Sequence, residues 1–520
     1  MLSPEQLAAV EDPARQVAIV APPGSGKTST LIARAIRHRD EYGSALCVTF
    51  TNKAAREIRE RAPGMDACTF HGLAIRLVQA SSPEPITVLD ELDARDIACQ
   101  VGEELGILRL GWKDGRRAAA KVLADRAGRA RYRAILRQIR AVDFDLLIDR
   151  AIVAASTTRA YRYTSILLDE QQDADPRQWD LVRALQPGAI TMVGDPRQTI
   201  YSWRGADPAI LLDAYASPEW SAHALTANYR SAPAIVELAN RIAAPMSFRA
   251  PPMRAAREST RSPAWMVEPT PDAEAELVAH AAGIWAQDWI LDGPPAGLIL
   301  ARSWSELDRV AEALDVEGVP FAHLGRSAGD WSEPKLRSIV KFLQLAANPR
   351  LDTWAVDIAR AIGLYDEAIR QAGVRVARSG RPLVEDLGLL APAGVGRSML
   401  DSARGLATWA ALRLRLGPVP DLLAKFPADQ TVAQFLEWHA GRSTQDTAPS
   451  APIWLSSVHG VKGLEAEGVA IVGTDERGFS GDGETRRLFF VAATRARDRL
   501  LITRSESRRH RPTNAGAFWS

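Results

Sequence analysis

Val17-Ala18-Ile19-Val20-Ala21-Pro22-Pro23-Gly24-Ser25-Gly26-Lys27-Thr28 decides the fold. An apolar run stops at a turn rich in Pro and Gly, and a segment follows in which Leu31, Ile32, Ala35 and Ile36 share one helical face. A β run, a glycine turn and a helix in that order make a phosphate-binding loop. Glycines let backbone N–H groups point at phosphate oxygens, and the helix N-terminus adds partial positive charge. In such a loop Gly24, Ser25 and Gly26 form the cradle, Lys27 reaches the outer phosphates and Thr28 ligates Mg²⁺. The opening glycine of the generic pattern is Ala21 here.

Working outward, Leu46–Phe50 continues the βαβ order of a parallel sheet. Ile166–Leu168 and Ile190–Val193 read as buried strands, each followed by an acid, Asp169 and Asp195. Ligands of open α/β sheets gather at that carboxyl edge. A second sheet assembles from Gly297–Leu300, Leu455–Val458, Val469–Val472 and Leu500–Ile502, so the fold class is α/β with two cores. Asp169 and Glu170 supply side by side what a phosphate loop needs: an acid for the metal and a base that orients water.

Composition excludes several classes. The chain of 520 residues, 46% hydrophobic, can bury several cores. Lys plus Arg total 64 against 63 acids, so the net charge of +1 carries no global sign of a polyanion partner. Cys47, Cys68 and Cys99 stand apart without a CxxC pair, which argues against zinc and fits a reducing, cytoplasmic setting. No uncharged run approaches the ~20 residues of a membrane helix, so no membrane association is expected. Lys113–Arg140 holds ten basic residues and two acids. It reads either as a solvated helix face or as a phosphate-contacting surface.

In order, the chain shows LSPEQLAAV, APPGSGKT, VTFTNKAA, CTFHGLA, LLDEQQD, VGDPRQTIYSWRGA, LTANYRS, LARS, VHGVKGLE and ETRRLFFVAATRARDRL. This series resembles the motifs of the UvrD, Rep and PcrA group of superfamily 1 helicases over nearly the whole chain. The resemblance implies two RecA-like P-loop NTPase domains with parallel sheets, each carrying a mainly helical insertion. The expected division is a first core of residues 1–84 and 151–244 with an insertion at 85–150. A second core of residues 245–351 and 451–520 carries a reduced insertion at 352–450, and no tail domain follows.

The same resemblance implies roles. Gln6 reads the adenine edge, and Tyr229 stacks on the base. Gln198 senses the γ-phosphate, and Glu465 binds the ribose. Arg230 and Arg495 act as arginine fingers supplied across the cleft by the second core, while Lys27 and Glu170 complete the catalytic set, with ATP and Mg²⁺ as cofactors. Phe50, Tyr201 and Trp203 are candidates to stack on DNA bases, which every base tolerates. Thr51, Asn52, Thr69, His71, Arg204, Arg302 and His459 are candidates for phosphate and sugar contacts. Two positions depart from the pattern. Ser29 stands where relatives place an adenine-stacking Arg, and Gln171 stands where an aromatic is usual.

The implied function is 3′-to-5′ translocation on single-stranded DNA and unwinding at single-strand/duplex junctions, with a protein partner as activator or loader. The alternative is an ATPase subunit of a nuclease-associated or anti-phage defence complex that unwinds little by itself.

Overall fold

The computed structural model describes residues 2–82, 86–108, 115–157, 161–248, 250–290, 294–324, 334–348, 450–474, 479 and 483–506, with isolated positions between 351 and 436. Contacts divide the chain into two units. One comprises residues 1–70, 161–329 and 443–520, the other residues 71–160 and 330–442.

The first unit holds two six-stranded sheets. In the first sheet the strands are β1 (Gln16–Val20), β2 (Ala45–Thr49), β3 (Asp66–Thr69), β4 (Ser165–Leu168), β5 (Ala189–Gly194) and β6 (Ser221–Ala224). Their spatial order is β3-β2-β4-β5-β1-β6, and all neighbours run parallel. Parallel neighbours demand crossovers. The helices Lys27–Tyr42, Asn52–Arg61 and Pro176–Ala184 provide three of them. With helices on its faces, the sheet buries every residue of β2 and β5. Leu31, Ile32 and Ala35 pack with Val17, Ile19 and Cys47 in one core, the face read from the spacing. Arg34, on the same helix, is also buried. Its guanidinium donates to the carbonyls of Ala9, Val10, Asp12 and Ala14 and to Thr191 Oγ1.

The second sheet comprises β7 (Ala264–Glu268), β8 (Gly297–Ala301), β9 (Phe321–Leu324), β10 (Ile453–Ser457), β11 (Ala466–Ile471) and β12 (Ala496–Ser505). The order is β7-β12-β11-β8-β10-β9, again all parallel. Side chains alternate between its faces as strand geometry requires. Leu298 and Leu300 enter one core with Val469 and Ile502, while Ile299 and Ala301 enter another with Leu455 and Ala470. The α/β class with two RecA-like sheets is thereby established.

The chain leaves these sheets twice, between β3 and β4 and between β9 and β10, and both excursions build the second unit. Ile97, Val101 and Leu136 from the first share a core with Leu336, Leu343 and Phe435 from the second. Polar ties cross the same seam. Gln344 Nε2 donates to the buried Asp93 at 3.0 Å, and Asn348 Nδ2 donates to the Ile139 carbonyl at 2.7 Å. The helix Pro334–Ala347, which the sequence division assigns to the second core, packs in this helical unit. Its residues Leu336, Ile339, Val340 and Leu343 recur at helical spacing and need a partner face. Most of the segment 352–450, read as a reduced insertion, lies outside the described residues.

Candidate nucleotide cleft and nucleic-acid track

β1 ends at Val20, and the turn that follows enters the helix Lys27–Tyr42. Gly24 and Gly26 adopt left-handed φ of 70° and 80°. A β-carbon on Gly24 would stand 2.6 Å from that of Arg230, and one on Gly26 would strike the Gln6 amide. Only glycine fits both positions. Ser25 is buried, and its hydroxyl donates to the Pro22 carbonyl at 2.7 Å, bracing the turn rather than facing a ligand. The turn opens on a cleft of about 1030 Å³ lined by Gln6, Lys27, Thr28, Asp169, Glu170 and Gln198, and on its other side by Glu465 and Arg495.

At the carboxyl end of β4, Asp169 is buried and Glu170 takes a left-handed φ of 49°. Holding a non-glycine residue there costs energy and is a mark of functional sites. Lys27 Nζ lies 3.2 Å from Glu170 Oε1, and Gln172 Nε2 donates to Glu170 Oε2 at 2.6 Å. Burial and the neighbouring Glu170 charge push the Asp169 carboxyl up. Burial also acts on Glu170, but Lys27, Lys462 and the Gln172 bond outweigh it and hold that carboxyl low, as an anion. Asp169 and Thr28 offer hard oxygen donors to one cleft. Among the described residues no group of three or more His, Cys, Asp or Glu forms a metal cage. The Asp169 carboxylate and the Thr28 hydroxyl are donors of the kind Mg²⁺ takes, the rest of its shell being water and phosphate.

The second sheet supplies the facing wall. Arg495 is buried, and its guanidinium donates to Val491 and Leu464 carbonyls and to Gln198 Oε1 at 3.1 Å. Burial and the Arg230 charge pull its pKa down to about 9. Gln198 Nε2 donates to Asp195 at 3.2 Å, so one amide touches both walls. Arg230, expected from the far wall, is rooted on the phosphate-loop side. Tyr229 N–H donates to the Gly24 carbonyl at 2.8 Å, and Asn228 Nδ2 to that of Pro23. The Arg230 side chain reaches over to Glu465 at 2.5 Å, which also pairs with Arg497 at 3.0 Å. Burial raises the Glu465 carboxyl, but these two cations prevail and keep it low. Tyr229 is 45% exposed. Gln6 uses half its amide on the protein, accepting from Ser3 N–H and donating to Ser25 O, both at 2.8 Å. One N–H and one lone pair remain for a base. Ser29 Oγ accepts a bond of 2.8 Å from Arg61 Nη2.

Lys462 stands within VHGVKGLE, and its sequence context announces no role. It is buried, with Nζ 2.5 Å from Asp173 Oδ2, 2.7 Å from the Gln198 carbonyl and 5.2 Å from the Tyr201 ring centre. Burial lifts the Asp173 carboxyl to about 6 despite that lysine. Tyr201 in turn leads to the track. It stacks on Phe50 at 5.8 Å, and its hydroxyl donates to the His459 carbonyl at 3.1 Å. Trp203 is 54% exposed, with the Arg204 guanidinium 4.7 Å from its ring centre. Burial lowers the His459 pKa from its ordinary value. The Thr51 hydroxyl caps the helix Asn52–Arg61 through Ala54 N–H at 3.1 Å. Thr69 is buried, while Asn52 is half-buried and Arg302 exposed. His71 belongs to the helical unit, where it packs 4.4 Å from the Phe144 ring. In that unit Arg131 pairs with Glu104 at 3.0 Å and Arg129 donates to the Leu123 carbonyl at 2.6 Å, so part of the basic stretch serves its own fold.

A glycine phosphate loop on a parallel sheet, acids at the end of another strand of that sheet and Arg495 from a second such sheet define a P-loop NTPase with two RecA-like cores. The comparisons narrow this. Residues 6–204 match the family described as AAA domain, and residues 452–503 match the UvrD-like helicase C-terminal domain. The chain is 26% identical to the ATP-dependent DNA helicase UvrD2 of Mycobacterium tuberculosis, over 98% of this chain and 79% of the relative. It is 25% identical to UvrD1 of Mycobacterium leprae over 98% and 83%, and 29% identical to Rep of Salmonella typhimurium over 46% and 42%. These two family matches, with relatives similar over nearly the whole chain, support a UvrD-like helicase of superfamily 1.

Proposed function

We propose that the protein is an ATP- and Mg²⁺-dependent motor that moves 3′ to 5′ along single-stranded DNA and opens duplex at single-strand junctions. The observation that carries this reading is the Gln198 amide, bonded to Asp195 on one wall and Arg495 on the other beside the Lys27–Glu170 pair. A γ-phosphate there would be felt by both sheets at once. Lys27 and the loop N–H groups hold phosphate oxygens, Glu170 orients the attacking water, and Arg495 and Arg230 face the charge that develops. Thr28 and Asp169 would hold Mg²⁺, which would supply neutralisation of phosphate charge. Lys462 then links chemistry to movement, since it grips Gln198 and Asp173 in the cleft and lies over Tyr201, next to Trp203.

The three cysteines are free thiols, and no described helix is long and apolar enough to cross a membrane; both facts support a cytoplasmic setting. Displacement of short duplexes carrying 3′ or 5′ single-strand tails tests polarity. The expected result is ATP-dependent displacement from 3′ tails, lost in Lys27→Ala. Preference for 5′ tails would overturn the direction. ATP turnover without displacement from either tail would favour the alternative, an ATPase subunit of a nuclease-associated or anti-phage defence complex.

A further inference from the structure

We infer that Arg61 is a base-binding residue of the nucleotide cleft, reaching it across Ser29 from the neighbouring helix; the inference rests on reading that cleft as the ATP site. Arg61 closes the helix Asn52–Arg61, and its guanidinium is fixed at two corners. Nη1 pairs with Glu57 one turn back at 2.8 Å, and Nη2 donates to Ser29 Oγ at 2.8 Å. Ser29 directly follows Thr28, so the bond sets the guanidinium plane one residue from the phosphate end. Arg61, Glu57 and Ser29 line the same cleft as Gln6, Ile32 and Tyr229. With phosphates at Gly26 and Lys27, the remainder of a nucleotide must extend past these groups. A serine hydroxyl there can only hydrogen-bond. A planar, weakly hydrated guanidinium can lie on the face of a purine. A pair that served the helix alone would be complete with Glu57 and would not need Ser29 on a different helix.

Calorimetric titration with ADP, without DNA, tests this in Arg61→Ala, Arg61→Lys, Glu57→Gln and Arg61→Ala combined with Ser29→Arg, each checked for an unchanged unfolding midpoint. Inorganic tripolyphosphate serves as the base-free competitor. We expect Arg61→Ala to weaken ADP binding about threefold to fivefold, the worth of one partly exposed cation–π contact, with tripolyphosphate affinity unchanged. The KM for ATP should rise in parallel while kcat holds. Arg61→Lys should fail to restore affinity, Glu57→Gln should retain most of it, and Ser29→Arg should restore it in the Arg61→Ala background. Wild-type ADP affinity in Arg61→Ala, or equal losses for ADP and tripolyphosphate, would overturn the assignment. Loss of turnover in Lys27→Ala tests the site itself and stands whatever Arg61 does.

Discussion

At the residue scale the cleft divides into groups whose chemistry is local in sequence and groups whose partners are remote. Lys27, Thr28, Asp169 and Glu170 could be read because a phosphate loop and a strand-end acid pair advertise themselves over a few positions. Lys462 and Arg61 could not. Lys462 acts on Gln198, 264 positions away, and Arg61 acts on Ser29, 32 positions away, so no spacing announces either. Gln171 illustrates a departure with a measurable consequence. It is fully buried, and neither amide atom has a hydrogen-bond partner among the described residues. An unsatisfied buried amide costs about 1 to 3 kcal/mol, so Gln171→Met should raise stability by about 1 kcal/mol or more in urea unfolding, with ATP turnover kept. A loss of stability would show that the amide is satisfied through bound water.

At the element scale the sequence yields the interior of each sheet and not its margins. The eight strands that could be read, β1, β2, β4, β5, β8, β10, β11 and β12, all have neighbours on both sides. The four that could not, β3, β6, β7 and β9, are the edges of the two sheets. An edge strand is buried on fewer sides, so Ser-Ala-His-Ala and Phe-Ala-His-Leu suffice where the interior demands a continuous apolar run. The helix Lys27–Tyr42 carries a pH-sensitive contact. His38 is buried with Nδ1 2.6 Å from Ser165 Oγ, and burial, with the Arg34 and Arg37 charges, lowers its pKa to about 4. The unfolded chain binds that proton near the ordinary value of 6.5, so stability is complete above that value and falls as pH drops from 6.5 towards 4. Between about pH 7.5 and about pH 5 this group alone should remove about 2 kcal/mol. His38→Gln should flatten the urea-unfolding profile by that amount, and an unchanged slope would rule out the buried neutral histidine.

At the scale of the whole molecule, the series of motifs marks both RecA-like cores, but the sharing of one core by two chain excursions is invisible in it. Nothing in the order of Ile97, Val101, Leu336 and Leu343 says that they meet. Because they do, the excursions should unfold together. Leu343→Ala empties part of that core at a cost of about 2 to 5 kcal/mol. Limited proteolysis of this variant should open sites in 71–160 and 330–442 at the same rate, with the sheet-bearing unit intact. Cleavage confined to 330–442 would mean that the excursions are independent.

The central claim is that cleft and track form one DNA-dependent ATPase, and steady-state ATP hydrolysis with and without single-stranded DNA addresses it most directly. The unaltered protein should turn over slowly alone and many times faster with DNA. Glu170→Gln keeps the fold and nucleotide binding but loses the base. It should fall by about 10² to 10⁴ in DNA-stimulated rate. Turnover indifferent to DNA, or a Glu170→Gln protein as active as the parent, would contradict the account.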